Sequence, residues 1–329
     1  MVQVLIATRR RPDYLRVALE SVRAQSAVGR IGTVVVSENG GSRESEAICR
    51  EFPDLPILYL FQEPELDGLA HARVLSLIDR HPYTAILHDD DWWTPCHLEV
   101  ACRLLDAHTS CNAYFSSYLE LTDCFPPQLH RNAWRVWAAA GKDFRPSVLV
   151  LDFVQVLVAN LLSTSFHYST LVARTDSFRS TIGVVCDSGN AYDNDRMSPV
   201  LLADPSGLIY STIPTAVIRR HSAQDSVSDA HLRRDEIVVE TTRWMQRRWP
   251  SQCQEAARYF NAAVQDIGEE KLRLVTGAGA DLLRSFLAQE IGFTMWMEPE
   301  TRVSRLKKRL PVGVKAALRT SLRLLRLRR

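Results

Sequence analysis

Two kinds of apolar pattern alternate along the first part of the chain. Short unbroken runs at residues 2–7, 31–36, 57–61 and 84–87 are separated by stretches in which apolar residues return every three or four positions. The first such stretch starts at Pro12 and carries Tyr14, Leu15, Val17, Ala18 and Val22; residues 44–50 and 69–78 repeat the pattern. An unbroken apolar run of this length fits a strand covered on both faces, and the wider spacing fits a helix with one buried stripe. Strands and helices taking turns predict an α/β fold with a mostly parallel central sheet and helices on both faces.

Beyond residue 124 the pattern changes. Residues 125–162 read as aromatic and helical, with Trp134, Trp137, Phe144 and Phe153. Strand-like runs return at 169–173 and 208–210, a helical stretch follows Asp193, and 235–249 and 252–264 read as helices. The organisation expected is one α/β domain over 1–228, in halves 1–124 and 125–228, then a helical extension over 229–300 and a tail over 301–329.

Charge sets the tail apart. The chain holds 40 Lys and Arg against 38 Asp and Glu, a net +2, yet eleven of the cations lie in 301–329, where there is no acid. The other 29 face all 38 acids, so the preceding 300 residues carry −9. Within the tail Val314, Leu318, Leu322 and Leu325 fall at helical spacing beside Lys315, Arg319, Arg323 and Arg326. A basic amphipathic helix of this kind suits an anionic membrane surface. No uncharged apolar run reaches the ~18 residues of a membrane span; the longest candidate, 148–162, is interrupted by Asp152, Gln155 and Asn160. The seven cysteines form no CxxC pair, and 46% hydrophobic content supplies a core. Reduced thiols and no signal-peptide pattern point to the cytoplasm, with the tail holding the protein peripherally on the inner face of the membrane. An acidic body without a nucleic-acid motif argues against nucleic-acid binding.

In an open α/β sheet, ligands sit beyond the carboxyl ends of the strands. Three polar clusters occupy that position: residues 8–11, Glu38-Asn39, and His88-Asp89-Asp90-Asp91 before Trp92-Trp93-Thr94-Pro95. Three adjacent carboxylates repel one another, so the last cluster predicts a bound cation. Oxygen ligands suit Mg²⁺ or Mn²⁺, hard ions that commonly bridge protein carboxylates to a diphosphate.

Four segments in order carry a family resemblance: residues 5–15 ending in Pro12-Asp13-Tyr14-Leu15, residues 34–40 with Glu38-Asn39-Gly40, Gly68-Leu69-Ala70-His71-Ala72-Arg73, and Asp89-Asp90-Asp91 with Pro95. Together they resemble the GT-A glycosyltransferases, specifically inverting family 2, which use nucleotide-sugar donors. The resemblance implies a nucleotide-sugar half over 1–124 and an acceptor half over 125–228. It places Thr8 and Arg9 beside the base, Glu38 or Asn39 on the base or ribose, Arg73 on the nucleotide and Asp89 near the ribose. It gives the metal, Mn²⁺ or Mg²⁺, to Asp90 or Asp91, with His221 in the terminal loop as a further ligand. Asp193 matches the position of the catalytic base and Asp195 stands second. The segment around His167 resembles the one that lies against the acceptor. Asn39 and Val74 depart from the family, which often has an acid and an Asn there, and this leaves base and sugar unassigned. The function implied is transfer of a sugar to a hydroxyl of a glycan or lipid-linked acceptor in bacterial surface-polysaccharide assembly. The alternatives are a nucleotidyltransferase, against which the absence of glycine from residues 8–12 counts, and an inactive glycan- or membrane-binding relative.

Overall fold

The computed structural model describes residues 1–78, 80–122, 127–130, 136, 148–162, 165–188, 194–221 and 234–266. The chain divides into two compact units, Met1–Thr294 and Met295–Arg329, and every described residue belongs to the first. The tail and Asp193 therefore lie outside the described residues.

The expected α/β sheet is present. Its strands are β1 (Val2–Thr8), β2 (Ile31–Asn39), β3 (Ile57–Gln62), β4 (Tyr83–Ile86), β5 (Trp92–Trp93), β6 (Ala113–Leu121), β7 (Gln128–Leu129), β8 (Val148–Leu151), β9 (Val172–Arg174) and β10 (Leu208–Arg219). They run in the order β3-β2-β1-β4-β9-β6-β10-β5, with β7 on β6 and β8 on β10. The half that contains β3, β2, β1 and β4 is wholly parallel. β9 joins it antiparallel to β6, which runs parallel to β10.

Helices cover the parallel half on both faces. Val2, Val4 and Ile6 of β1 point into a cluster with Leu15, Ala18, Leu19 and Val22 of α1 (Pro12–Arg23), Ile48 of α2 (Glu44–Arg50) and Leu98 and Leu105 of α4 (His97–Ala107). Gln3 faces the other way, where its amide donates to the Ile78 carbonyl and to Thr84 Oγ1. That face carries α3 (Gly68–Ser76) packed against α6 (Thr175–Asp187). Complete burial of β1 and most of β2 explains their unbroken apolar sequences. The remaining described helices are α5 (Phe153–Leu162), α7 (Asn194–Ala203), α8 (Arg234–Arg248) and α9 (Pro250–Asp266).

The structure corrects the reading of 125–162 as helical: residues Val148–Leu151 form β8 on β10, and the helix begins only at Phe153. Burial alternates residue by residue along β8, a strand period. The boundary was written in the sequence as Asp152-x-x-Gln155. Asp152 Oδ1 accepts from the Gln155 amide at 2.8 Å, and Gln155 Oε1 accepts from the Asp152 amide at 3.0 Å, a capping box that starts α5. β10 is also longer than the expected 208–210. Its first part pairs with β8, and beyond an irregularity at residues 212–215 its second part pairs with β5.

Gly207 turns the chain into β10 at φ +77, and a Cβ there would stand 2.1 Å from the Leu151 carbonyl oxygen. Gly207→Ala is therefore expected to cost at least ~2 kcal/mol, combining positive-φ strain with backbone overlap. A denaturant-unfolding midpoint equal to wild type would show that β8 and β10 need no such close approach.

Candidate active site

Strand register builds the site. Thr8 lies opposite Glu38 in β2, and Leu5 lies opposite Ile86 in β4, so the turn after β4 comes level with Thr8. The Thr8 hydroxyl donates to Asp89 Oδ2 at 2.8 Å. β5 pairs antiparallel with Ala216 and Val217, which carries the end of β10 back to the same turn. There the Arg219 amide donates to Asp91 Oδ1 at 3.0 Å, and His221 Nε2 lies 3.0 Å from Asp90 Oδ2. Three strand ends and the terminal loop thus meet at residues 88–91.

The three carboxylates differ in their partners. Asp89 accepts from Arg11, whose Nε is 3.1 Å from Oδ2 and whose Nη2 is 2.7 Å from Oδ1. Asp90 takes Arg11 Nη1 at 3.0 Å and His221 on one oxygen. Asp91, almost fully buried, accepts from the Ser169 hydroxyl at 2.5 Å as well as from the Arg219 amide. Burial raises the Asp89 carboxyl to about 6 despite Arg11, and burial raises Asp91 as well. At Asp90 burial opposes ionisation, but His88, Arg11 and His221 outweigh it and the pKa falls. Of the three, Asp90 is the carboxylate whose surroundings favour the charged form.

A divalent cation fits this donor set. Asp90 is the carboxylate whose surroundings favour ionisation, and His221 turns Nε2 towards it at 3.0 Å, so a carboxylate oxygen and an imidazole nitrogen converge on one point. Asp90 and His221 would hold the ion.

The nucleotide residues expected from sequence are placed unevenly. Glu38 is buried at the end of β2 and accepts from the Tyr59 hydroxyl at 2.6 Å, with Gly41 at φ +102 over its other oxygen. Asn39 spends its amide on the Leu66 backbone, donating at 2.8 Å and accepting at 2.9 Å. Arg9 pairs with Glu65 at 2.5 Å on the outer edge of the rim. Arg73 is exposed on α3 and reaches Asp187 of α6 at 3.3 Å, away from the aspartates. Asp195 stands in the first turn of α7, and its charge acts on the buried Tyr118 hydroxyl. The Tyr118 ring lies 5.3 Å from His167, whose Nδ1 is 4.0 Å from Asp91 Oδ2.

Two residues that hold the aspartates received no individual role from the sequence, although both lie in segments it singled out. Arg11 is the N-cap of α1, a place where a cation is electrostatically unfavourable, and that misfit was the available signal. Ser169 had none. It is fully buried, accepts from the His88 amide at 3.2 Å, donates to Asp91, and offers its carbonyl to Trp93 Nε1 at 2.6 Å. Ser169→Ala leaves a buried carboxylate oxygen short of a donor, and the expected loss is ~1–3 kcal/mol of stability. Ser169→Thr, which restores a hydroxyl, is expected to recover part of that loss in thermal unfolding; an Ala variant as stable as wild type would exclude the role.

Residues 3–153 match the family model of glycosyl transferase family 2. No curated protein matches the chain by sequence. Among solved structures, S. aureus TarS 1-349 in complex with UDP-GlcNAc aligns over 95% of this chain and 76% of its own, with TM-score 0.53 and 12% identity. The mannosyltransferase PcManGT from Pyrobaculum calidifontis, in complex with GDP-Man and Mn²⁺, aligns over 88% and 79%, with TM-score 0.50 and 16% identity. The chain has the GT-A fold, and its match to glycosyl transferase family 2 covers residues 3–153.

Proposed function

We propose that the protein is an inverting, divalent-metal-dependent glycosyltransferase that moves a sugar from a nucleotide-diphosphate donor to a hydroxyl of a glycan or lipid-linked acceptor. The observation that carries this reading is the meeting of Asp90 with His221, 131 residues apart, at the rim formed by Thr8, Glu38 and Asp89. The two printed ligand sets, UDP-GlcNAc on TarS and GDP-Man with Mn²⁺ on PcManGT, support a nucleotide-sugar donor and a divalent ion.

In this reading a bound Mn²⁺ or Mg²⁺ would neutralise the departing diphosphate. Arg11 keeps Asp89 and Asp90 packed together against their mutual repulsion. Thr8 fixes the Asp89 carboxylate, and Tyr59 fixes the Glu38 carboxylate on the nucleotide side. Asp193, immediately before α7, takes the proton from the acceptor hydroxyl, with Asp195 as the alternative. We further propose a place in bacterial surface-polysaccharide assembly, with the basic tail holding the enzyme on the anionic inner face of the membrane. No described helix is long and apolar enough to cross a membrane.

The test is a screen of UDP-, GDP- and dTDP-sugars for binding and hydrolysis, with Mn²⁺ and with EDTA. At least one donor is expected to turn over with metal and to stop in EDTA. If no nucleotide sugar binds, or if EDTA leaves turnover unchanged, the proposal fails.

A further inference from the structure

We propose that His88, Asp91 and His167 form a second cation site, distinct from the Asp90–His221 pair and selective for borderline transition ions of the Zn²⁺ class. One ligand atom from each residue lies within 4.8 Å of the others. His88 Nδ1 is 3.6 Å and His167 Nδ1 4.0 Å from the same oxygen, Asp91 Oδ2. Around a tetrahedral ion with bonds of about 2.0–2.1 Å, ligand atoms stand roughly 3.4 Å apart, so the three need only close slightly to share one.

Several features separate this cluster from the donor-side pair. The carboxylate is different: Oδ2 of Asp90 meets Arg11 and His221, whereas Oδ2 of Asp91 accepts from the Ser169 hydroxyl and faces the two other imidazoles, with lone-pair capacity left for an ion. The chemistry is different too. Two nitrogens and one oxygen favour Zn²⁺, Co²⁺ or Ni²⁺ over Mg²⁺, which prefers oxygen throughout. Three protein ligands leave a fourth position open, the arrangement found where zinc keeps an exchangeable water.

The cluster is also held ready and reachable. The His88 and His167 rings meet edge to face with centroids 5.3 Å apart. The carboxylate is 1% exposed, while the His88 side chain is 40% exposed and gives an ion a way in. Uptake displaces one long hydrogen bond, from the Ser169 amide to His167 Nδ1 at 3.2 Å. An ion here ties the turn after β4 to the segment before β9, the same two pieces of chain that Ser169 joins.

The experiment titrates the full-length, metal-stripped, nucleotide-free protein with Co²⁺, read by visible absorption, followed by competition with Zn²⁺ and with Mg²⁺. One equivalent of Co²⁺ is expected to bind, to be displaced by Zn²⁺, and to resist a large excess of Mg²⁺. His88→Ala and His167→Gln are each expected to weaken Co²⁺ binding by at least about tenfold, while Asp90→Asn and His221→Ala leave it within about threefold. Gln at 167 keeps an acceptor for the Ser169 amide, and a thermal melt of each variant verifies folding. The proposal is overturned if the wild type binds no Co²⁺ below millimolar concentration. It is equally overturned if binding follows Asp90 and His221 rather than His88 and His167. Because no nucleotide is present, a failed sugar-donor screen leaves this result untouched.

Discussion

Asp90→Asn is expected to lower sugar transfer by roughly two to three orders of magnitude, the loss of a few kcal/mol of charge stabilisation at the leaving diphosphate. The size follows from how charge is shared over residues 89–91. Asp89 is matched by Arg11 and Thr8, and Asp91 by Ser169 and the Arg219 amide. Asp90 is the carboxylate whose surroundings favour ionisation against its own burial, and it lies beside Nε2 of His221. Asn preserves shape and can still accept from Arg11, so the fold should survive and the melting temperature should change little. Calorimetry should show weakened Mn²⁺ binding in the presence of nucleotide, and kinetics a fall in kcat. Transfer within tenfold of wild type would move the metal to another residue of the turn.

What the sequence revealed and what it hid have one physical origin. β1, β2 and β4 were legible because burial on both faces leaves unbroken apolar runs, and the rim was legible because carboxylates end those runs. β6 was not. Its centre, Ser116-Ser117, is buried and satisfied across the sheet by Thr215 Oγ1 at 2.7 Å and Tyr210 Oη at 3.0 Å, so a polar pair sits where an apolar run was sought. β10 was cut short for the same reason, since Ser211, Thr212 and Thr215 are buried polar residues. α4 hides behind His97, fully buried by stacking on Trp93 and by a 2.7 Å hydrogen bond to Thr215. Within the site, Asp89 to Asp91 could be read locally, but Arg11, Ser169 and the His88–His167 pairing depend on partners about 80 residues away. Periodicity carries no information about such pairings; only the closed sheet supplies it.

Asp193→Asn is expected to abolish transfer, with kcat reduced by about 10²–10⁴ and nucleotide affinity nearly unchanged. The reasoning starts from the division of labour in the fold. The strand ends of the first half gather the groups suited to a nucleotide diphosphate, and none of the described ones is a carboxylate free of both cation and hydrogen-bond duty. In the proposed reaction a base for the acceptor hydroxyl is therefore sought in the second half, at Asp193 or Asp195. Asp195 stands in the first turn of α7. Of the two acids, Asp195 lies within α7, while Asp193 precedes it in sequence, at the position that the family resemblance gives to the base. Asp195→Asn should accordingly cost less, within about tenfold in kcat. Paired isothermal titrations with nucleotide and single-turnover transfer assays separate the outcomes. An Asp193→Asn enzyme that still transfers, beside an inactive Asp195→Asn, would assign the proton to the helix residue.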